Sequence, residues 1–228
     1  MTGLSIIIPV LDEAIGIVPL LTQLTGLRGR GAQLIVVDGG SSDDTAALAA
    51  PLADLVVHSE RGRARQMNAG ARHARGDALL FLHADTILPP DADRLIGMAL
   101  ETRAWGRFDV ALAGAHPLLP LIAAMMNLRS RLTGIATGDQ ALFVRLALFR
   151  QLGGFAPIPL MEDIEFSARL KRAGPPACLR RRVTTSARRW EKNGVLRTVL
   201  LMWRLRLAYF FGADPQRLAI DYGYRPGP

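Results

Sequence analysis

Several acidic residues in this 228-residue chain stand directly after apolar runs. Leu79-Leu80-Phe81-Leu82 gives way to His83-Ala84-Asp85, so a carboxylate emerges straight from a buried stretch. A hard cation such as Mg2+ or Mn2+ prefers oxygen ligands and takes few from protein when phosphates supply the rest. Asp85 is therefore a candidate metal ligand, with His83 as a second. Asp38 closes the run Gln33-Leu34-Ile35-Val36-Val37 and is followed by Gly39-Gly40-Ser41-Ser42-Asp43-Asp44-Thr45. Glycines let a backbone turn tightly and approach a ligand. An acid there can accept from a ribose hydroxyl or a base N–H, and it equally suits an ordinary strand–turn–helix corner. The dinucleotide pattern G-x-G-x-x-G is absent from this turn.

Glu162 and Asp163 lie between apolar Leu160, Met161 and Ile164. Partial burial raises a carboxylate's pKa and suits it to accept a proton, although acids are also common in a helix's first turn. Arginines form two groups that could grip phosphate with their forked donors. Arg61, Arg63 and Arg65 precede Asn68, and Arg188-Arg189 precede Trp190. The run Arg180-Arg181-Arg182 reads as a solvated charged face.

The elements that must carry these residues alternate. Strands are expected at Leu4–Val10, Gln33–Asp38, Leu55–His58 and Ala78–Leu82 from their β-branched, uninterrupted apolar character. Helical spacing recurs over Ala14–Leu27, with Ile15, Val18, Leu21 and Leu24 as the expected inner face, and over Gly62–Ala74 and Pro90–Leu100. A short helix is expected through Ala50, capped by Ser42 with Asp43 and Asp44. This rhythm predicts an α/β fold of parallel strands with crossover helices, its ligand site outside the carboxyl ends of the strands. Three acidic clusters then fall on one edge: Asp12-Glu13, Asp38 and Asp85. The second half is less regular. Arg107–Ala113 and Gln140–Val144 are expected strands, and Leu118–Leu132 and Glu162–Arg172 expected helices.

Composition narrows the class. Half the residues are hydrophobic and 21% are charged, which describes a globular chain able to bury a core. The lone Cys178 permits no intrachain disulfide and suits a cytoplasmic location. Met1–Val10 lacks a basic leader region and is too short to span a bilayer. The net charge of +8 is uneven: residues 1–168 hold 14 Arg against 17 acids, whereas residues 169–228 hold 12 Arg and two Lys against three acids. The basic end calls for an anionic partner, and charge alone does not choose among nucleic acid, lipid headgroups and a diphosphate.

Taken in order, the motifs resemble glycosyltransferase family 2. Ser5-Ile6-Ile7-Ile8-Pro9-Val10-Leu11-Asp12-Glu13 resembles its opening V-P-x-x-N-E strand, and Val36-Val37-Asp38-Gly39-Gly40-Ser41 its V-D-D-G-S motif. Asn68-Ala69-Gly70 is similar to its R-N-x-G segment, His83-Ala84-Asp85 stands at D-x-D, Glu162-Asp163 at E-D, and Arg189-Trp190 at R-W. A small bacterial subgroup shares the RxxQMNxGA, TGDQ, MEDIE and SxRRW signatures seen here.

The resemblance implies one GT-A domain over 1–228, a Rossmann-like mixed sheet flanked by helices. It divides into a nucleotide-sugar half (1–100), an acceptor and catalytic half (101–192), and a C-terminal amphipathic helix and tail (193–228). It implies nucleotide contacts from Pro9, Leu11, Glu13, Asp38, Arg65 and Asn68. Asp85 would hold Mg2+ or Mn2+ at the donor diphosphate, Asp163 with Glu162 would perform catalysis, and Asp139, Gln140, Arg189 and Trp190 would face acceptor or phosphate. The implied reaction is an inverting sugar transfer from a nucleotide-diphosphate donor to a hydroxyl of a lipid or glycan, with no nucleic acid partner. Four positions depart from the family pattern: Asp12 for Asn, Gly39 for the second Asp, His83 for the first D of D-x-D, and Ser186-Ala187 where a Q-led motif begins, which argues against a processive polymerase.

Gly194–Phe211 is the longest apolar stretch, with Leu196, Val199, Leu200, Trp203, Leu207 and Phe210 on one face and Arg197 and Arg204 on another. Three arginines in 18 residues argue against a span. The segment fits either a helix lying in the membrane interface, peripheral at the inner face of the cell membrane, or a core-facing helix with snorkelling arginines. Two rival readings differ in class. A nucleotidyltransferase would need a Gly-rich basic loop where Leu11-Asp12-Glu13 stands. A non-catalytic basic module, binding membrane or nucleic acid, would draw on the tail but leave Asp38, Asp85 and Asp163 without a task.

Overall fold

The computed structural model describes residues 3–224. Its first half follows the expected rhythm. Strands β1 (Leu4–Val10), β2 (Gln33–Asp38), β3 (Leu55–His58) and β4 (Ala78–Phe81) are joined by helices α1 (Ala14–Gly29), α2 (Thr45–Ala49) and α3 (Arg63–Arg72). The pairs β1–β2, β1–β4 and β2–β3 are all parallel. Alternate residues serve opposite faces, as the pleat requires. Ile6, Ile8, Leu34 and Val36 pack toward α1 on one side, whereas Ile7, Ile35 and Val37 pack toward α3 on the other.

The second half turns the sheet mixed. After β5 (Thr86–Ile87), α4 (Ala92–Thr102), β6 (Trp105–Ala113) and α5 (Leu119–Thr133), a single 3-10 turn at Gly138–Gln140 leads into β7 (Phe143–Arg145). Then follow α6 (Leu146–Gln151), α7 (Glu162–Ala173), β8 (Ala177–Ser186), α8 (Arg188–Asn193), α9 (Val195–Phe210) and α10 (Pro215–Tyr222). The eight strands form one sheet in the order β3-β2-β1-β4-β7-β6-β8-β5. β7 runs antiparallel to both β4 and β6 and β5 antiparallel to β8, whereas β6 and β8 pair in parallel, so the parallel expectation holds for the first four strands and the sheet beyond them is mixed.

Three expectations need correction. The strand at Gln140–Val144 begins only at Phe143, because Gln140 closes the 3-10 turn and Ala141 adopts a left-handed φ of 47° that no strand accommodates. The inner face of α1 is Ile17, Leu20, Leu21, Leu24 and Leu27, while Ile15 is 97% exposed and Val18 lies at the surface. Apolar residues surround this helix, so periodicity does not single out a face. Ser42 does not cap α2; Asp43 instead accepts from the backbone N–H of Thr45 at 3.0 Å. β8 and α10 are elements that the sequence reading did not anticipate. Arg180, Arg181 and Arg182 lie inside β8, where the register against β6 slips between Phe108 and Asp109. That slip lets the exposed basic run bulge without breaking the ladder.

Candidate functional site

The acids expected on one sheet edge arrive there because their strands end in step. Val10 pairs with Asp38 and Asp38 with His58, so the loops after β1 and β2 leave the sheet side by side. Those loops are zipped together. Asp12 accepts from the backbone N–H and hydroxyl of Ser42, the Glu13 N–H donates to the Thr45 hydroxyl, and the Ala14 N–H donates to Asp43. Asp12 adopts a left-handed φ of 54°, and Met161, which precedes the Glu162-Asp163 pair, one of 69°. With Ala141, these are the non-glycine residues of positive φ among the described residues, and all three flank the site. Such strain persists where surrounding structure enforces it.

Above this edge lies a cavity of about 470 Å3. Pro9, Leu11, Glu13, His83, Asp85 and Arg189 of the expected site line it, joined by Arg61, Arg63, Tyr222 and Tyr224. Asp85 is set by two buried threonines, whose hydroxyls donate to its Oδ1 at 3.3 and 3.4 Å. The pairing of Thr86 with Thr185 brings the end of β8 against Asp85, which delivers Arg188 and Arg189 to the same place. Arg189 stacks over the Tyr222 ring at 3.5 Å and donates to the Tyr222 carbonyl, while Arg61 lies over Tyr224 at 5.3 Å. Burial pushes the Glu13 carboxyl above its ordinary pKa, with Arg188 opposing and Asp85 adding to the rise.

Asp85 leaves Oδ2 without a hydrogen-bond partner among the described residues, and no group of three or more His, Cys, Asp or Glu gathers there into a full metal cage. A single free carboxylate oxygen in a cavity rimmed by arginines fits a hard cation that draws its remaining ligands from a diphosphate and water. His83 is committed elsewhere: its Nδ1 lies 3.7 Å from Asp139.

A smaller cavity adjoins the first, shared through Arg63, His83, Leu160 and Tyr222, and holds Asp139, Glu162, Asp163 and Arg206. Asp163 Oδ2 accepts from the Gly138 N–H and Oδ1 from the Ile164 N–H, each at 2.7 Å. Glu162 is buried with Arg63 at 3.8 Å. Burial raises its pKa, Arg63 opposes the rise, and Asp163 adds to it. For Asp139, burial pushes upward, but His83, Arg63 and Arg206 outweigh it and hold the carboxyl below its ordinary value.

Other expected residues stand around the site rather than in it. Asp38 is buried under its own loop, accepting from the Ser41 hydroxyl and the N–H groups of Ser41 and Gly40. Gln140 is fully buried and closes a capping box with Thr137. Trp190 is half-buried on α8 and does not line the main cavity. Arg65 points away and pairs with Glu60. Asn68 exchanges two hydrogen bonds with the Phe155 backbone and borders a different cavity. Arg63 and Arg65, two apart on α3, project from different sides of the helix, so the arginine that reaches the site is Arg63. Gln66 also went unnoticed as a structural member. It is buried and donates to the carbonyls of Val10 and Val37 at 2.8 Å, bridging the two site-bearing strands.

Comparison with known proteins agrees with this architecture. The family model described as glycosyl transferase family 2 matches residues 5–113. An uncharacterized glycosyltransferase of Mycobacterium tuberculosis is 32% identical over 165 residues, covering 67% of this chain and 62% of that protein. Undecaprenyl-phosphate 4-deoxy-4-formamido-L-arabinose transferase of Enterobacter sp. (strain 638) is 29% identical over 109 residues, 42% of this chain and 33% of that one. The chain thus spans from a third to less than two thirds of the length of these relatives. Among solved structures, a mannosyltransferase of Pyrobaculum calidifontis in complex with GDP-Man and Mn2+ superposes with a TM-score of 0.68 at 21% identity, covering 100% of this chain and 66% of that chain. The first half of the chain thus matches the glycosyl transferase family 2 model, on a mixed sheet of the GT-A fold.

Proposed function

We propose that the protein is an inverting glycosyltransferase that moves a sugar from a nucleotide-diphosphate donor to a hydroxyl acceptor. The observation that carries this reading is the pair of joined cavities. One offers an unpartnered Asp85 oxygen beneath several arginines, and the other presents Asp163 on a fixed backbone N–H. Residues 1–100 would serve the donor and residues 101–192 the acceptor. Bound at Asp85, Mg2+ or Mn2+ would neutralise the departing diphosphate. A GT-A structure with GDP-Man and Mn2+ supports the choice of ligand class.

The chain's own residues do the rest. Arg61, Arg63 and Arg189 offer forked donors for phosphate oxygens, placing positive charge where negative charge develops. The Gly138 N–H orients the Asp163 carboxylate, which keeps a lone pair free for the acceptor proton. Asp163 takes that proton as the acceptor oxygen bonds to the anomeric carbon and the bond from that carbon to the diphosphate breaks. Buried Glu162 holds Arg63 between the two cavities. Asp38 and Gln66 fix the loops against which a nucleoside would lie.

Asp163→Asn tests this directly. Turnover is expected to fall roughly 10²–10⁴-fold with nucleotide binding kept; wild-type turnover in that variant removes Asp163 from the chemistry.

A peripheral membrane contact through residues 194–211 belongs to the same proposal. The face of α9 expected to be apolar is exposed: Leu196, Leu200, Trp203, Leu207 and Phe210 are 60 to 81% open to solvent. Among the described residues, no helix is long and apolar enough to cross a membrane. A helix with a bare apolar face in the basic end of the chain suits an anionic lipid surface.

A further inference from the structure

Two neighbouring arginines, one of them lining the smaller cavity, have no partner among the described residues. Arg129, on α5, buries Nε and Nη2 without a hydrogen bond. Arg206, on α9, lines the cavity beside Asp163 and Asp139, and neither guanidinium makes an ion pair or donates a hydrogen bond among the described residues. The acids near them are spent otherwise, Asp163 on the backbone N–H groups of Gly138 and Ile164 and Asp139 on His83. A buried guanidinium left unpaired is costly, a cost that an anion reaching it would offset.

We propose that Arg129 and Arg206 bind a phosphate or comparable oxyanion carried by the acceptor, next to the hydroxyl that Asp163 deprotonates. This deepens the functional reading above and rests on it. Burial first, and then the neighbouring Arg206, push Arg129 down to about 10, against the pull of Asp163 and Asp139. Two neighbouring cations that repel each other favour a shared anion. The helices that carry them also bare apolar stripes: Leu121, Met125, Leu128 and Leu132 on α5, and the Trp203 face on α9. The phosphate could therefore come from a lipid headgroup or from a soluble phosphomonoester, and the test separates these.

The test is equilibrium binding to wild type, Arg129→Gln and Arg206→Gln, with excess UDP and GDP present to fill the donor cavity. The probes are glycerol 3-phosphate, with glycerol as control, and phosphatidylcholine vesicles doped with phosphatidic acid, with phosphatidylglycerol vesicles as charge control. Wild type is expected to bind a phosphomonoester probe over its control, and each variant roughly tenfold or more weakly. Binding of glycerol 3-phosphate assigns a soluble acceptor, and binding of the phosphatidic acid vesicles alone assigns a lipid one. Wild type that prefers neither phosphomonoester over its control, or variants that bind as wild type does, overturn the proposal. Nucleotide titration of the same samples reports separately on the donor site and shows that the variants are folded.

Discussion

His83 and Gly138 occupy one space: a methyl group built on Gly138 would lie 2.4 Å from the imidazole. This contact links two sequence features that look unrelated, the His in place of an acid before Asp85 and the Gly that opens the 3-10 turn. The backbone N–H of Gly138 holds Asp163, and the next residue, Asp139, faces His83. The imidazole thus packs against the loop that orients the proposed base. Gly138→Ala is expected to displace that loop, costing about 1–3 kcal/mol of stability and a larger share of turnover than of nucleotide affinity. Equal losses of both, measured by steady-state kinetics and nucleotide titration, would break the link between this contact and Asp163.

A second packing relation explains Gly39. A Cβ there would come within 2.9 Å of the Gln66 amide, which bridges the Val10 and Val37 carbonyls. The acid common at this position in the family has no room while Gln66 is present. Gly39→Asp alone should destabilise the protein, and Gln66→Ala alone should cost about 1–3 kcal/mol through the loss of both bridging hydrogen bonds, although the Val10 carbonyl keeps the Gly39 N–H. Because they share one space, the double variant should lose less than the sum, a coupling of about 0.5–3 kcal/mol in urea unfolding. Simple additivity would show that the residues do not compete.

Asp38 predicts an acid-side stability slope. Burial alone would raise its pKa, but hydrogen bonds from Ser41, Gly40 and His58 bring it below the ordinary value. The unfolded chain therefore binds this proton at higher pH than the native one, and stability rises with pH through that window. The contribution is present above the unfolded aspartate pKa of about 3.9 and is lost as pH falls through the lower native value. Urea midpoints taken between about pH 3 and 6 should fall more steeply toward acid for wild type than for Asp38→Asn. Matching slopes would mean that the loop does not stabilise the charged form.

The α9 face supplies a prediction in which stability and binding part company. Leu200→Ser and Trp203→Ser remove exposed side chains, so unfolding should shift by no more than about 0.5 kcal/mol. Co-sedimentation with anionic vesicles should drop sharply. A marked loss of stability would instead place this face against another part of the protein.

Much of the site-bearing sheet edge was legible because it rests on local signals. Apolar runs that end abruptly in Asp38 or Asp85 announce where strands stop, and parallel strands bring those stops to one edge. What escaped depends on three-dimensional choice. Arg63 and Arg65 read alike in sequence, and only the direction of α3 sends the former into the cavity. Tyr222 and Tyr224 form a wall from the far end of the chain, beyond any local pattern. β8 was hidden by Arg180–Arg182, whose charge masks the strand period where the ladder bulges. Glu162 and Asp163 are adjacent, yet their side chains part into a buried carboxylate beside the half-exposed Arg63 and a backbone-held carboxylate.

The central claim is a nucleotide-diphosphate sugar site organised by Asp85, and calorimetric titration with UDP-, GDP- and dTDP-sugars, with and without Mn2+, tests it most directly. Metal-dependent binding of one nucleotide class, abolished by Asp85→Ala in a folded protein, is the predicted result. Binding of none of them by folded wild type, or equal binding by Asp85→Ala, would contradict it.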